Sequence, residues 1–180
     1  MQKEITIPVV LNERTFKRFA RFDMLRLRKK WVRPAVFFII MIGFGIVSLF
    51  AKKEQSGLIA AVLFTVGTGL PLVYFGFFFS QVNMQALNNR LEKGRKVYTV
   101  RLTPKELNVN AIGKNKKEET LQLPWKKVPK AFRVKGCIYI YASPAKAFLL
   151  PDGQADASKD EVWQYLVKRM GKEKCRHISG

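Results

Sequence analysis

The sequence predicts a two-span membrane helical hairpin followed by an α+β domain in which short antiparallel strands are closed by a C-terminal helix. Three observations predict it. Residues 34–51 and 57–79 contain no charged side chain, although the chain holds 33 Lys and Arg. From residue 97 onward, apolar and polar residues alternate with period two, and turn residues interrupt the pattern at strand-length intervals. Ser158-Lys159-Asp160-Glu161 then forms a capping box ahead of the stripe Val162, Leu166 and Met170. These signals divide the chain into an N-terminal strand and basic amphipathic helix (1–33), the hairpin (34–79), a juxtamembrane helix (80–96), the strand-rich domain (97–174) and a tail (175–180).

In the N-terminal arm, Glu4–Leu11 is rich in β-branched residues and reads as extended. Asn12 then stands as an N-cap, with Glu13 in the first turn. Phe16, Phe19, Asp23, Leu27 and Trp31 recur at roughly helical spacing, with Met24 beside them. The prediction is one basic helix at the membrane surface that runs into the first span. Its aromatic face would sit at headgroup level while its cations meet anionic lipid. Arg26, Arg28, Lys29, Lys30, Trp31 and Arg33 are the candidate membrane-interface residues, with Trp31 as the anchor.

The first apolar run, Pro34–Ala51, extends about 27 Å as a helix, and Trp31 and Val32 bring it close to the thickness of a hydrocarbon core. The second, Gly57–Phe79, is long enough to cross with some tilt. A chain of 180 residues has too little else to cover two helices that are apolar all round. The link Lys52-Lys53-Glu54-Gln55-Ser56 is short, so the helices turn back as antiparallel neighbours. Arg14–Arg33 carries nine basic residues against Asp23, and Arg90, Lys93, Arg95 and Lys96 follow the second run. The positive-inside rule then places both termini in the cytoplasm and the link outside. A long basic region before the first run, and Lys-Lys-Glu after it, argue for an uncleaved anchor.

Small residues recur every four positions in the second run, at Gly57, Ala61, Thr65 and Gly69, and every three in the first, at Gly45, Ser48 and Ala51. Small residues let helix backbones approach closely in lipid, so these stripes are candidate packing faces, either within the hairpin or toward another membrane subunit or second copy. Pro71 cannot donate to the carbonyl of Gly67, so a kink is expected, with Thr68 as a local donor. The runs hold no Asp, Glu, Lys, Arg or His, which argues against an autonomous pump or transporter.

Gln81–Lys96 lacks a breaker until Gly94 and continues the second run as a helix. Alternation then sets in at Tyr98, Val100 and Leu102, again at Leu107 and Val109, and again at Leu121 and Leu123. Gly113-Lys114-Asn115-Lys116 marks a turn. Val128–Val134, Cys137–Tyr141 and Ala147–Leu150 are three further strands, separated by Lys135-Gly136 and Ser143-Pro144. About six or seven antiparallel strands closed by one helix is the plan of a pleckstrin-homology-like (PH-like) barrel, although other α+β folds share the periodicity.

The chain resembles the YcxB-like family of small bacterial membrane proteins. The resemblance rests on ERTFKRFARFDMLR, the two adjacent spans, YTVRLTPKELNVN, LQLPWKKVPKAFRVKGCIYIYASPAKAFLLP and SKDEVWQYLVKRM, and it covers nearly the whole chain. Its most specific parts are Leu123-Pro124-Trp125 followed by Val128, and Ala147-Phe148-Leu149-Leu150-Pro151. It implies a Gram-positive type of membrane protein with a C-terminal PH-like domain and no assigned reaction. The chain departs from that pattern in its basic charge near Trp125.

Charge narrows the partners. The chain is +20, with +7 in residues 1–33, +1 in 34–79 and +12 in 80–180. Acidic lipid headgroups, an acidic protein and nucleic acid are the candidate partners, and attachment to a bilayer favours lipid. Lys126, Lys127, Lys130, Arg133 and Lys135, with Trp125 and Phe132 interleaved, form the candidate binding cluster. Trp125, Tyr139 and Tyr141 would have to stack bases for nucleic acid to bind, but they fit a strand core better. Cys137, Cys175 and His177 are too few for a zinc site, and no metal or cofactor is expected. The single His excludes the usual triads, Glu118-Glu119 sit beside a turn, and Gly43-x-Gly45 and Gly67-x-Gly69 lie within the apolar runs. The sequence therefore reads as a non-enzyme: a membrane-tethered adaptor or an accessory subunit of a larger membrane complex.

Overall fold

The computed structural model describes residues 4–51, 54–112 and 118–178. The turn expected at Gly113–Lys116, and Lys52 and Lys53 of the link, lie outside the described residues. The chain forms two compact units: 16–89, and a second made of 1–15 with 90–180.

α1 (Glu13–Phe22), most of which belongs to the first unit, begins where Asn12 Oδ1 accepts from Thr15 N at 2.8 Å, the expected N-cap. It does not run into the first apolar run. Asp23–Leu27 widens into a π turn, Arg28 N donates to Asp23 O at 2.9 Å, and Lys29 takes a left-handed conformation (φ 47°). Lys30 N then reaches back to Met24 O at 3.0 Å, which ends the helix and makes a corner. Trp31 holds that corner, its indole N–H donating to Leu25 O at 3.1 Å while 42% of its surface stays exposed. Arg26, Lys29, Lys30 and Arg33 are exposed, and Arg28 is ion-paired with Asp23 at 2.7 Å.

α2 (Val32–Phe50) and α3 (Ser56–Asn88) are both long and apolar enough to cross a membrane. They pack on each other as antiparallel neighbours. α3 continues through Pro71 and beyond the apolar run to Asn88. It stops at Asn89 and Arg90 (φ 52°), short of the expected Lys96.

The contact between α2 and α3 corrects the expected packing stripe. Gly67 lies against Met41, where an added Cβ would meet Met41 Cβ at 2.7 Å. Gly45 lies under the Phe64 ring with no room for a side chain, and Ser48 Oγ donates to Ser56 O at 3.2 Å. Ser56, Ala60 and Gly67 are the buried face of α3's apolar part. Gly57 and Gly69 face open space, and Ala61 and Thr65 are exposed. The stripe Gly57, Ala61, Thr65 and Gly69 is thus one residue out of phase, about 100° around the helix.

Among its described residues, the second unit contains eight strands in two four-stranded sheets, rather than one continuous closed ladder. The first sheet runs β1-β2-β3-β4 (Ile5–Leu11, Arg95–Leu102, Glu106–Ile112, Glu118–Pro124), all antiparallel. The second runs β7-β6-β5-β8 (Ala147–Pro151, Cys137–Tyr141, Lys130–Val134, Cys175–His177). β1 therefore belongs to the sheet domain and not to a separate arm. Its alternation buries Ile5, Ile7, Val9 and Leu11, and as an edge strand it tolerates Pro8. A bulge at Val9/Val10 is closed by Gln154, whose side-chain amide bonds the N and O of Val10, each at 2.8 Å.

The expected tail is likewise a strand: β8 pairs parallel with β5. Tyr98 links the two sheets, its hydroxyl donating to Leu149 O at 3.1 Å and accepting from Leu149 N at 2.7 Å. α4 (Lys159–Met170) starts at the predicted capping box, with Glu161 N donating to Ser158 Oγ and Ser158 N to Glu161 Oε2. It buries Val162, Leu166 and Met170.

Candidate functional site

Trp125 positions the basic surface. After β4 ends at Pro124, Trp125–Lys127 makes one 3₁₀ turn, closed by Val128 N donating to Trp125 O at 3.2 Å. Side chains three apart eclipse in such a turn, so Trp125 and Val128 both point inward and are buried. Lys126 and Lys127, between them, are forced outward and exposed. The Trp125 indole donates to Thr103 O at 2.9 Å, and its ring meets Tyr165 of α4 edge to face, with centroids 6.3 Å apart. Thr103 is in turn fixed through Oγ1, which donates to Glu106 O at 2.8 Å and accepts from Glu106 N at 3.1 Å.

The structure keeps part of the predicted cluster and rearranges the rest. Lys130 is exposed at the start of β5, beside the 3₁₀ turn. Lys135 occupies the hairpin turn with Gly136 (φ 82°) at the opposite end of that strand, about 16 Å away along an extended chain. Arg133 is half-buried and ion-paired with Asp160 in the first turn of α4. Lys159 makes a similar tie, donating to Val134 O at 2.9 Å and to Asp152 Oδ2 at 2.7 Å. Arg133 therefore anchors α4 and is spent on the fold.

Sequence reasoning missed the residues that replace it. Lys174 Nζ donates to Lys126 O at 3.0 Å, and β8 sets Arg176 beside Phe132 and His177 beside Arg133. Lys126, Lys127, Lys130 and Arg176 are exposed and Lys174 is half-buried, and the 3₁₀ turn, the start of β5 and β8 bring them together, with Lys172 and Glu173 exposed just before β8. The signal was present as the basic run after Gly171. It had no address until β8 paired with β5.

Trp125, Phe132, Tyr139 and Tyr141 are all buried, so these rings offer no stacking platform for bases. Among the described residues, no three His, Cys, Asp or Glu side chains gather into a metal-binding group. Burial pushes the Cys137 thiol up to about 12, with Asp152 adding to the shift. Burial, reinforced by Glu173, raises Cys175 to about 11. Burial also raises Tyr98, against its hydrogen bond with Leu149. These groups are neutral near pH 7 and supply no nucleophile.

No protein-family model, curated protein or solved structure matches this chain. The functional reading therefore rests on the geometry above.

Proposed function

We propose that the chain is a non-enzymatic, membrane-tethered adaptor of the YcxB-like type. α2 and α3 span a bacterial cell membrane with both termini cytoplasmic. The sheet domain is of PH-like architecture and binds anionic lipid headgroups. The single observation that carries the binding role is the 3₁₀ turn, which buries Trp125 and Val128 and thereby throws Lys126 and Lys127 outward beside Lys130 and Lys174. Each such cation near an anionic leaflet contributes about 1 kcal/mol of attraction.

Lysine labelling of the full-length protein in nanodiscs tests this reading. Lys126, Lys127 and Lys130 should be protected in discs containing phosphatidylglycerol, and high salt should remove the protection. Lys135, at the far end of β5, should label equally in anionic and neutral discs. Equal labelling of the three lysines in both disc types would overturn lipid docking and leave an acidic protein as the partner of this face.

A second reading has its own observation. The hairpin does not use Gly57, Ala61, Thr65 and Gly69, and the Thr65 hydroxyl is already satisfied by Ala61 O at 2.8 Å. The stripe is free to seat another membrane helix, as in an accessory subunit or a homo-oligomer. A61L/G69L should then release a co-purifying membrane protein or dissociate an oligomer. An unchanged assembly would remove this reading.

A further inference from the structure

The first unit holds a cavity that the basic surface does not include. Lys17 and Arg21 stand one turn apart on α1, and Phe78, Phe79, Val82 and Asn83 come from α3 where its apolar run ends. Together they line a space of about 230 Å³. The Arg21 guanidinium lies over the Phe79 ring, 5.7 Å from its centroid, and Phe78 meets Phe79 edge to face at 5.4 Å. Two cations from α1 thus meet an α3 wall made of two phenyl rings, Val82 and the Asn83 amide.

Its level along the hairpin is set by the helix register. Met41 sits against Gly67 and Gly45 against Phe64, and continuing that register places Trp31 opposite Phe77. With Trp31 as the expected interfacial tryptophan, the cavity opens where a headgroup layer would meet hydrocarbon. From the floor, the α3 surface continues apolar and open, with Phe77 65% and Val73 68% exposed. A soluble anion would be poorly served by a site half of whose lining residues are apolar, Phe78, Phe79 and Val82. A phosphodiester that carries acyl chains fits both halves.

We infer that this cavity is a headgroup site for an anionic glycerophospholipid. The phosphate lies against Lys17 and Arg21, the Asn83 amide faces the polar headgroup, and the acyl chains run along Phe78 and Phe79. The site rests on the reading of α2 and α3 as membrane spans, and it is separate in residues from the lysine face of the sheet domain. It gives α1 a function beyond charge: it closes a lipid against α3.

The test uses full-length protein extracted from membranes, delipidated in neutral detergent and titrated in native mass spectrometry with phosphatidylglycerol or phosphatidylcholine of matched chains. One phosphatidylglycerol should be retained with about tenfold preference, because both lipids offer the phosphodiester but the choline cation of phosphatidylcholine is repelled by Lys17 and Arg21. K17Q/R21Q should bring the two lipids to parity. F79L should weaken the preference, and K105Q/K168Q, at two exposed lysines of the sheet domain to which no lipid role is given, should leave it intact. A preference that survives K17Q/R21Q, or is absent in the wild type, would overturn the site. Displacement of the lipid by inorganic phosphate would overturn its assignment to lipid. Failure of the spanning reading registers separately, as full-length protein that stays in buffer without detergent.

Discussion

The two units bury opposite kinds of residue. In the sheet domain the interior is large and apolar: Ile7, Val100, Leu102, Leu107, Ile138, Ile140 and Leu166 are essentially inaccessible. The hairpin is inverted. Its contact face is small and partly polar (Gly45, Ser56, Ala60 and Gly67), whereas Ile39, Val47, Phe50, Val73 and Phe77 are each about two-thirds or more exposed. Water selects the first pattern, because burying apolar surface is the main driving force for folding in water. Lipid would select the second, because tails are as apolar as leucine and only close backbone approach distinguishes one helix face from another. One chain carrying both patterns is what the proposed spanning hairpin beside a water-facing domain would require.

The contrast can be broken by mutations that should act on one pattern and spare the other. The largest effect is expected from W125A, which empties the pivot of the sheet domain and should cost about 3–5 kcal/mol. W125F keeps an aromatic ring, leaves a smaller void than W125A and orphans Thr103 O, at about 1–3 kcal/mol. Thermal unfolding followed by near-ultraviolet circular dichroism should show both losses while the helical signal of the hairpin persists. Simultaneous collapse of the two signals would show that the units share one core.

The second effect belongs to the hairpin. G67L forces a side chain into Met41, and overpacking of this kind costs about 1–3 kcal/mol. A61L/G69L adds comparable bulk to the open face. Spin labels at Val36 and Val73, both exposed, should move apart in G67L and keep their distance in A61L/G69L. The reverse result would mean that the out-of-phase stripe is the contact after all.

The smallest effect sharpens the comparison through pH. The Cys137 thiol is held neutral in the fold up to about 12, against an ordinary value near 9. Above pH 9 the unfolded chain releases this proton and the folded chain keeps it. The stabilisation is therefore complete below about 9 and is lost as pH rises toward 12. C137A should flatten the decline of the sheet domain's unfolding midpoint between those limits. A slope unchanged by C137A would assign the decline to Tyr98, whose burial acts in the same direction.

Local patterns determined much by themselves. Two uncharged runs became two long helices, and Asn12 and the Ser158–Glu161 box became helix caps. Period-two stretches became strands, and the Leu-Pro-Trp step became the turn that orients the lysines. Each depends on residues within a few positions of one another, so each is written locally.

Pairing was decided only in three dimensions. Glu4–Leu11 read as extended, but its partner Arg95–Leu102 lies beyond both apolar helices. Cys175–His177 is too short and polar to announce a strand, and exists because β5 had a free edge. Arg133 and Lys135 left the binding cluster, and Lys174 and Arg176 joined it, for the same reason. α3 carries two interleaved rows of small residues. A helix apolar all round has no periodic signal to say which row meets its neighbour, so its rotation was settled by the fit of Gly67 to Met41 and of Phe64 to Gly45.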